Sequence, residues 1–209
     1  MRRPGLRDGS CCAGGVAAGL AVGAVGVLAD APAGAAQPTK APRLGDGLAD
    51  PLPDLGPVID ASRVDAVNSL VSEAISHGAT RLTSERDLPK AGSFVAPTLL
   101  GDVPDTAGIA TQEVFGPAAA VFRFRDTAEA LARANATEMG LAGYLWSRDV
   151  SRCWRAAEQL EAGIVGVNDA LPSVAFAPMG GVKQSGLGRE GAAAGLEEFA
   201  DVRYLALGL

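Results

Sequence analysis

This chain has little of the material from which small catalytic or metal sites are usually assembled. Of its 209 residues only one is histidine, His77, and three are cysteine, Cys11, Cys12 and Cys153. An odd cysteine count with two adjacent is not a disulfide framework. Without a Cys-x-x-Cys pair or a second histidine a zinc site is not expected, so the metal expectation is none. The single histidine also counts against a Ser-His-Asp hydrolase. In Ser76-His77-Gly78 it reads instead as the last turn of a helix, where an imidazolium sits well beside the negative end of the dipole. Positive charge is thin: Lys and Arg number 18 against 24 Asp and Glu, for a net charge of −6. No basic cluster is interleaved with aromatics, which are 5% of the chain. Nucleic acid is therefore an unexpected partner. The one long uncharged run, Gly9 to Ala29, is mostly Ala, Gly and Val, too weakly apolar to make a good spanning helix, so no membrane is expected either.

What is present is globular. Hydrophobic residues are 48% and charged residues 20%, enough for one core, while 27 Gly and 13 Pro make the chain rich in loops. Residues 1–35 differ from the rest. Arg2, Arg3 and Arg7 precede the uncharged run, and the small residues Ala33-Gly34-Ala35-Ala36 follow it. Basic start, apolar middle and small-residue exit have the form of an export signal. The same Ala/Gly/Pro-rich string is also what a misplaced start or shifted frame gives in a GC-rich gene, and this second reading is preferred.

From residue 40 onward the pattern alternates. A turn-rich loop, Leu44 to Pro57, leads to a helix with a capping-box-like start at Ser62 and Asp65. Its apolar face is Val64, Val67, Leu70, Val71, Ala74 and Ile75, and Gly78 stops it. Strands are expected over Thr80–Thr83, Phe94–Leu100, Ala118–Phe124, Leu141–Ser147 and Ile164–Val167. Helices capped by Asp126 and Asp149 fall between the last three, with Cys153 on an apolar face and so in the core. Strands alternating with helices predict an α/β fold with a largely parallel sheet and flanking helices. A long loop, Asn168 to Gly188, is expected to be functional. A helix from Arg189 to Phe199 and an uncovered strand from Val202 to Leu207 complete the pattern.

Two segments carry chemistry. Glu113-Val114-Phe115-Gly116-Pro117 puts a carboxylate and an aromatic beside a Gly-Pro turn that fixes their direction. Farther on stands Ala177-Pro178-Met179-Gly180-Gly181-Val182-Lys183-Gln184-Ser185-Gly186-Leu187-Gly188-Arg189-Glu190. With Leu44-Gly45-Asp46-Gly47-Leu48 and Asp54-Leu55-Gly56-Pro57, with Phe94-Val95-Ala96-Pro97-Thr98, and with Asn135 to Ala142, they stand in one continuous order over about residues 40 to 207. In that order the chain resembles the C-terminal part of the NAD(P)-dependent aldehyde dehydrogenase superfamily, and within it succinate-semialdehyde dehydrogenases.

The resemblance implies a truncated catalytic domain at residues 40–200, preceded by a non-family segment at 1–39 and followed by an oligomerisation strand and tail at 201–209. It implies that Glu113 binds the nicotinamide-ribose hydroxyls of NAD or NADP and that Phe115 packs near the nicotinamide. A carboxylate can accept two hydroxyls in one geometry, and an aromatic edge can place a flat ring. It implies that Ser173 helps hold a substrate carboxylate, although a plain Pro-Ser turn is the alternative. Met179 departs from the family's Phe before Gly-Gly, which opens the question of substrate shape. Gly9-Ser10-Cys11-Cys12 lies at roughly the family's spacing for Gly-Gln-x-Cys, so Cys12 is the candidate nucleophile of a working or a decayed site, with coincidence as the other reading.

The implied reaction is oxidation of a small aldehyde, succinate semialdehyde foremost, to its acid. Neither the general-base segment Glu-Leu-Gly-Gly nor the nucleotide-binding domain is found in these 209 residues, so inactivity of this fragment is expected. The alternative is a non-catalytic interaction module that forms homo-oligomers or pairs with a full-length homologue. A cytoplasmic location is expected, with export the alternative if residues 1–35 are a true signal.

Overall fold

The computed structural model describes residues 15–19, 24–29 and 42–208. They form an α/β layer around a seven-stranded sheet. In chain order the elements are β1 (Gly15–Gly19), β2 (Ala24–Ala29), α1 (Ala61–Ser76), β3 (Thr80–Arg81), β4 (Thr98–Gly101), α2 (Gly108–Thr111) and β5 (Ala118–Phe124). They continue with α3 (Thr127–Asn135), β6 (Met139–Gly140), β7 (Ala142–Trp146), α4 (Val150–Ala157), β8 (Ile164–Val167), β9 (Val182–Lys183) and α5 (Ala192–Glu197). The sheet order is β3-β4-β5-β1-β2-β7-β8. The pairs β4–β5, β2–β7 and β7–β8 are parallel, and β3–β4, β1–β5 and β1–β2 are antiparallel. So β4, β5, β2, β7 and β8 all run one way, and only β1 and β3 run against them. Both β1 and β2 lie in the region that composition sets apart from the rest of the chain.

Short side chains explain why helices can lie close to this sheet. β5 begins Ala118-Ala119-Ala120, all buried, and Leu100 of β4 is fully buried beside it. Val67, Val71 and Ala74 of α1 pack with Leu100, Val95, Ile109 and Val114 in one apolar cluster. Leu131 of α3, Leu145 of β7 and Cys153, Ala156 and Leu160 on and after α4 make a second. Cys153 is thus a core residue, as its helical position predicts. No helix among the described residues is long and apolar enough to cross a membrane, and no cluster of metal-ligating side chains occurs among them.

Several expected boundaries move. α1 is capped two residues earlier than Ser62, by Asp60, whose carboxylate accepts from Arg63 N–H at 2.9 Å and from the Ser62 hydroxyl at 2.7 Å. A carboxylate at the N-cap accepts more strongly than a hydroxyl, and Ser62 becomes its donor instead. Gly78 does end the helix, at φ 104°. The strand expected from Phe94 begins only at Thr98, because Pro97 has no N–H for a ladder. The last helix is confined to Ala192–Glu197. Beyond it residues 201–208 form no ladder: Val202 to Leu207 has no neighbouring strand among the described residues. The long loop is also not free of structure, since β9 pairs with β6 and Met179 bridges Glu190.

Candidate functional site

The loop between α2 and β5 is built so that alternate residues face opposite ways. Val114 is 2% exposed and belongs to the α1 cluster. Its neighbours Glu113 and Phe115 face solvent, and Phe115 is 55% exposed. Phe115 takes φ 48°, a left-handed conformation uncommon for a bulky side chain. Such a residue persists only where its surroundings over-determine it. Here they do. Gly116 is pressed against α1 so closely that a Cβ would lie 2.6 Å from Val67 Cγ2. The Pro117 carbonyl accepts from Thr98 N–H at 2.8 Å, and Ala118 N–H donates to the Gly116 carbonyl at 2.8 Å. Val114 and Gly116 are therefore nailed to the core, and Phe115 is turned outward between them.

Above the Phe115 ring lies Arg63, from the first turn of α1, with its guanidinium carbon 5.8 Å from the ring centroid. A cation over an aromatic face holds the ring orientation. Nothing in the sequence pattern singles out Arg63, because its contact with Phe115 is made across two separate elements. Glu113 carries no hydrogen bond or ion pair among the described residues. The sum is an exposed carboxylate, an exposed ring in a fixed pose and a cation on its face.

The second candidate region is the chain after β8. It leaves the sheet through Asn168, at φ 53°, whose side chain accepts from Ser147 N–H at 2.9 Å and donates to the Ser147 carbonyl at 3.0 Å. Farther on Ser173 is exposed, and its hydroxyl donates to Met179 Sδ at 3.6 Å. The return is anchored by backbone. Met179 and Glu190 exchange N–H···O bonds of 2.8 Å in both directions. Arg189 Nη1 donates to the carbonyls of Gly181, at 2.9 Å, and Gly188, at 2.6 Å. Lys183 Nζ donates to the carbonyls of Asn135 and Thr137 at 2.8 and 3.0 Å and pairs with Glu161 at 2.5 Å. Lys183 thus ties the loop to the end of α3 and to the segments before β6 and β8.

Of the residues marked in the sequence, Glu113 and Phe115 stand together on one loop. Ser173 stands on another with Met179. Among the described residues no hydrogen bond, ion pair or ring contact joins the two groups. Cys12 lies outside the described residues.

Comparison with known proteins follows the same outline. The family model described as "Aldehyde dehydrogenase family" matches residues 26–205. The glutarate-semialdehyde dehydrogenase of Pseudomonas aeruginosa is 48% identical over 153 residues, 73% of this chain and 32% of that protein. The NADP+-dependent succinate-semialdehyde dehydrogenase of Escherichia coli is 43% identical over 166 residues, 79% of this chain and 34% of that one. A crystal structure of an E. coli NADP-dependent enzyme superposes with a TM-score of 0.76 at 43% identity, over 80% of this chain and 34% of that one. The chain therefore spans about a third of the length of the relatives it matches.

Proposed function

The chain belongs to the aldehyde dehydrogenase family, and we propose that it carries two parts of that family's site: a nicotinamide-ribose edge at Glu113 and Phe115, and a substrate-tail contact at Ser173. The reaction served is NAD(P)-dependent oxidation of an aldehyde to its carboxylic acid, with an aldehyde bearing a second carboxylate as the substrate class. The similar proteins of P. aeruginosa and E. coli are named for glutarate and succinate semialdehydes, which are such aldehydes.

The observation that carries this reading is the loop at 113–117. A ring held exposed in a left-handed conformation, strain of a kind that clusters at ligand sites, stands beside an exposed carboxylate without a protein partner among the described residues. Both fit a ribose carrying two vicinal hydroxyls and a flat ring. Bound NAD or NADP supplies the hydride acceptor. Glu113 accepts the ribose hydroxyls. Phe115, held in place by Val114, Gly116 and Arg63, would pack near the nicotinamide. Ser173 donates its hydroxyl to the distal carboxylate and so sets the aldehyde end toward the reacting centre. Cys12 is the candidate thiol of a working or a decayed site, with coincidence as the other reading. By themselves the 209 residues are expected to bind and not to turn over, since no Glu-Leu-Gly-Gly segment supplies a general base.

Nuclear magnetic resonance titration of the purified chain with nicotinamide mononucleotide tests this. Amide shifts at 113–117 are expected, and Glu113→Gln should weaken binding about tenfold by removing a charge-assisted acceptor. Shifts unaffected by Glu113→Gln would sink the assignment. Steady NADPH or NADH formation from succinate semialdehyde, lost in Cys12→Ala, would overturn the expectation of inactivity and establish Cys12 as nucleophile.

A second reading is favoured by the exposure of Phe199 at 93% and Tyr204 at 89%. In it residues 202–207 pair with another subunit, either a second copy or a longer homologue, and the chain serves as an interaction module in the cytoplasm. Co-purification with a longer homologue from a soluble cell fraction supports it, and recovery only from the exported fraction removes the location.

A further inference from the structure

The Ser173 hydroxyl is engaged in the free chain, and its partner is unusual. It donates to a thioether, Met179 Sδ, at 3.6 Å. The two ends of this contact are held very differently. Met179 is half-buried, and both of its backbone groups bond to Glu190 at 2.8 Å. Farther along, the Gly181 carbonyl accepts from Arg189 Nη1. The backbone that carries the sulfur is therefore fixed. Ser173, by contrast, sits in an exposed stretch between Leu171 and Phe176, each 83% exposed. The exposed hydroxyl meets a sulfur carried on anchored backbone.

The chemistry of the pair is specific. A thioether has lone pairs but no proton, and it is a weak acceptor. A hydroxyl bonded to it keeps a defined direction yet gives up little when a better acceptor arrives. A carboxylate oxygen is a far better acceptor, since a charge-assisted bond is roughly twice as strong as a neutral one. The aromatic residue that the resemblance implies at this position has no in-plane lone pair to offer. An acidic or amide side chain would hold the hydroxyl too firmly to release it.

We infer that Met179 is a positioning residue: its sulfur parks the Ser173 hydroxyl in the free chain and yields it to the distal carboxylate of a short oxo-acid. This rests on the carboxylate-binding reading of Ser173. It adds that the parked hydroxyl leaves Met179 only for an acceptor stronger than a thioether.

The sequence makes the test clean, because it contains three methionines, Met1, Met139 and Met179. The full chain labelled with 13C at the methionine methyls therefore gives three resonances. Met139, whose sulfur lies 3.9 Å from the Ser185 hydroxyl, serves as an internal control of the same chemistry. The chain is titrated with succinate, and with succinamide as the uncharged counterpart. The Met179 methyl is expected to shift at lower concentrations of succinate than of succinamide, because a charge-assisted bond is the stronger, while Met139 stays in place. Ser173→Ala should move the Met179 methyl in the free chain and abolish its response to succinate. Met179→Leu keeps the volume and removes the lone pairs, so the hydroxyl has no bond to give up, and succinate binding in calorimetry should tighten modestly. If Ser173→Ala leaves the free Met179 methyl unmoved but still weakens succinate, the parking role is overturned and the carboxylate reading stands. If the parent chain and the Ser173→Ala variant bind succinate equally, the carboxylate reading falls and the inference falls with it. Unchanged amide spectra away from the loop establish that each variant is folded.

Discussion

At the scale of single residues, Asp60 and Gly116 decide how the 113–117 loop is presented. The Asp60 carboxyl lies below its ordinary value of 3.8, first because the Ser62 hydroxyl donates to it and then because Arg63 N–H does. A carboxyl with a depressed folded-state pKa contributes its stability fully above the unfolded value and loses it as pH falls through the folded one. Asp60→Asn keeps an acceptor without the charge. Its difference in urea midpoint from the parent chain is therefore expected to be present near neutral pH and to vanish in acid below 3.8. A difference that grows in acid would contradict the assignment. The same residues set the pose of Arg63, which follows the cap and lies over Phe115. Gly116→Ala drives a methyl to 2.6 Å from Val67 Cγ2, and Val67 is fully buried. Overpacking of this kind costs about 1–3 kcal/mol. We expect that loss in chemical denaturation, together with altered amide shifts at Phe115.

At the scale of elements, the site loops are fixed by contacts between strands that are far apart in sequence. Gly163, just before β8, packs on the backbone of the Met179-Gly180-Gly181 turn, where a Cβ would meet the Gly180 carbonyl oxygen head on. Gly163→Ala cannot be relieved by a rotamer change, because the obstacle is main chain. It is expected to displace the loop that carries Ser173 and Met179 and to lower the melting midpoint, while a control Gly47→Ala, with open space around it, leaves both unchanged. Arg133 of α3 donates to both Asp105 oxygens, at 2.9 and 3.0 Å, and to the Arg123 carbonyl at 2.7 Å. Its guanidinium also lies 5.7 Å from the centre of the Phe122 ring. A lysine cannot reproduce that planar fork. Arg133→Lys is expected to lower thermal stability nearly as much as Arg133→Ala, as read by calorimetry. Strand β4 was legible from Phe94-Val95-Ala96-Pro97-Thr98 only in its existence. The β6–β9 ladder was not legible at all, because each strand is two residues long and its bonds come from a partner more than forty positions away.

At the scale of the whole molecule, apolar exposure is concentrated toward the last helix and beyond it. Leu196, Phe199, Val202, Tyr204, Leu205 and Leu207 are all exposed. A contiguous run of this kind is more apolar than a monomer's surface usually carries. Sedimentation velocity of the chain is expected to reveal concentration-dependent self-association, and Phe199→Ser with Tyr204→Ser should shift it toward monomer. A sharp single monomeric boundary at every concentration would remove the interaction reading. The net charge of −6 opposes association through repulsion, so raising salt should strengthen it.

The sequence by itself determined the class and the family. Periodicity and punctuation placed α1, α3, α4, β5, β7 and β8 close to where they lie, because helical faces, caps and turn residues act over a few positions. Ordered local segments such as Glu113-Val114-Phe115-Gly116-Pro117 identified the family without any knowledge of contacts. Only the tertiary structure decided the rest. It brought Arg63 over Phe115, seated Gly116 on Val67 and set the Ser173 hydroxyl on the Met179 sulfur. It also showed that Val202 to Leu207 finds no ladder among the described residues. Each of these depends on which elements become neighbours in space, and that is set by burial and hydrogen bonding across the sheet, which no local pattern encodes.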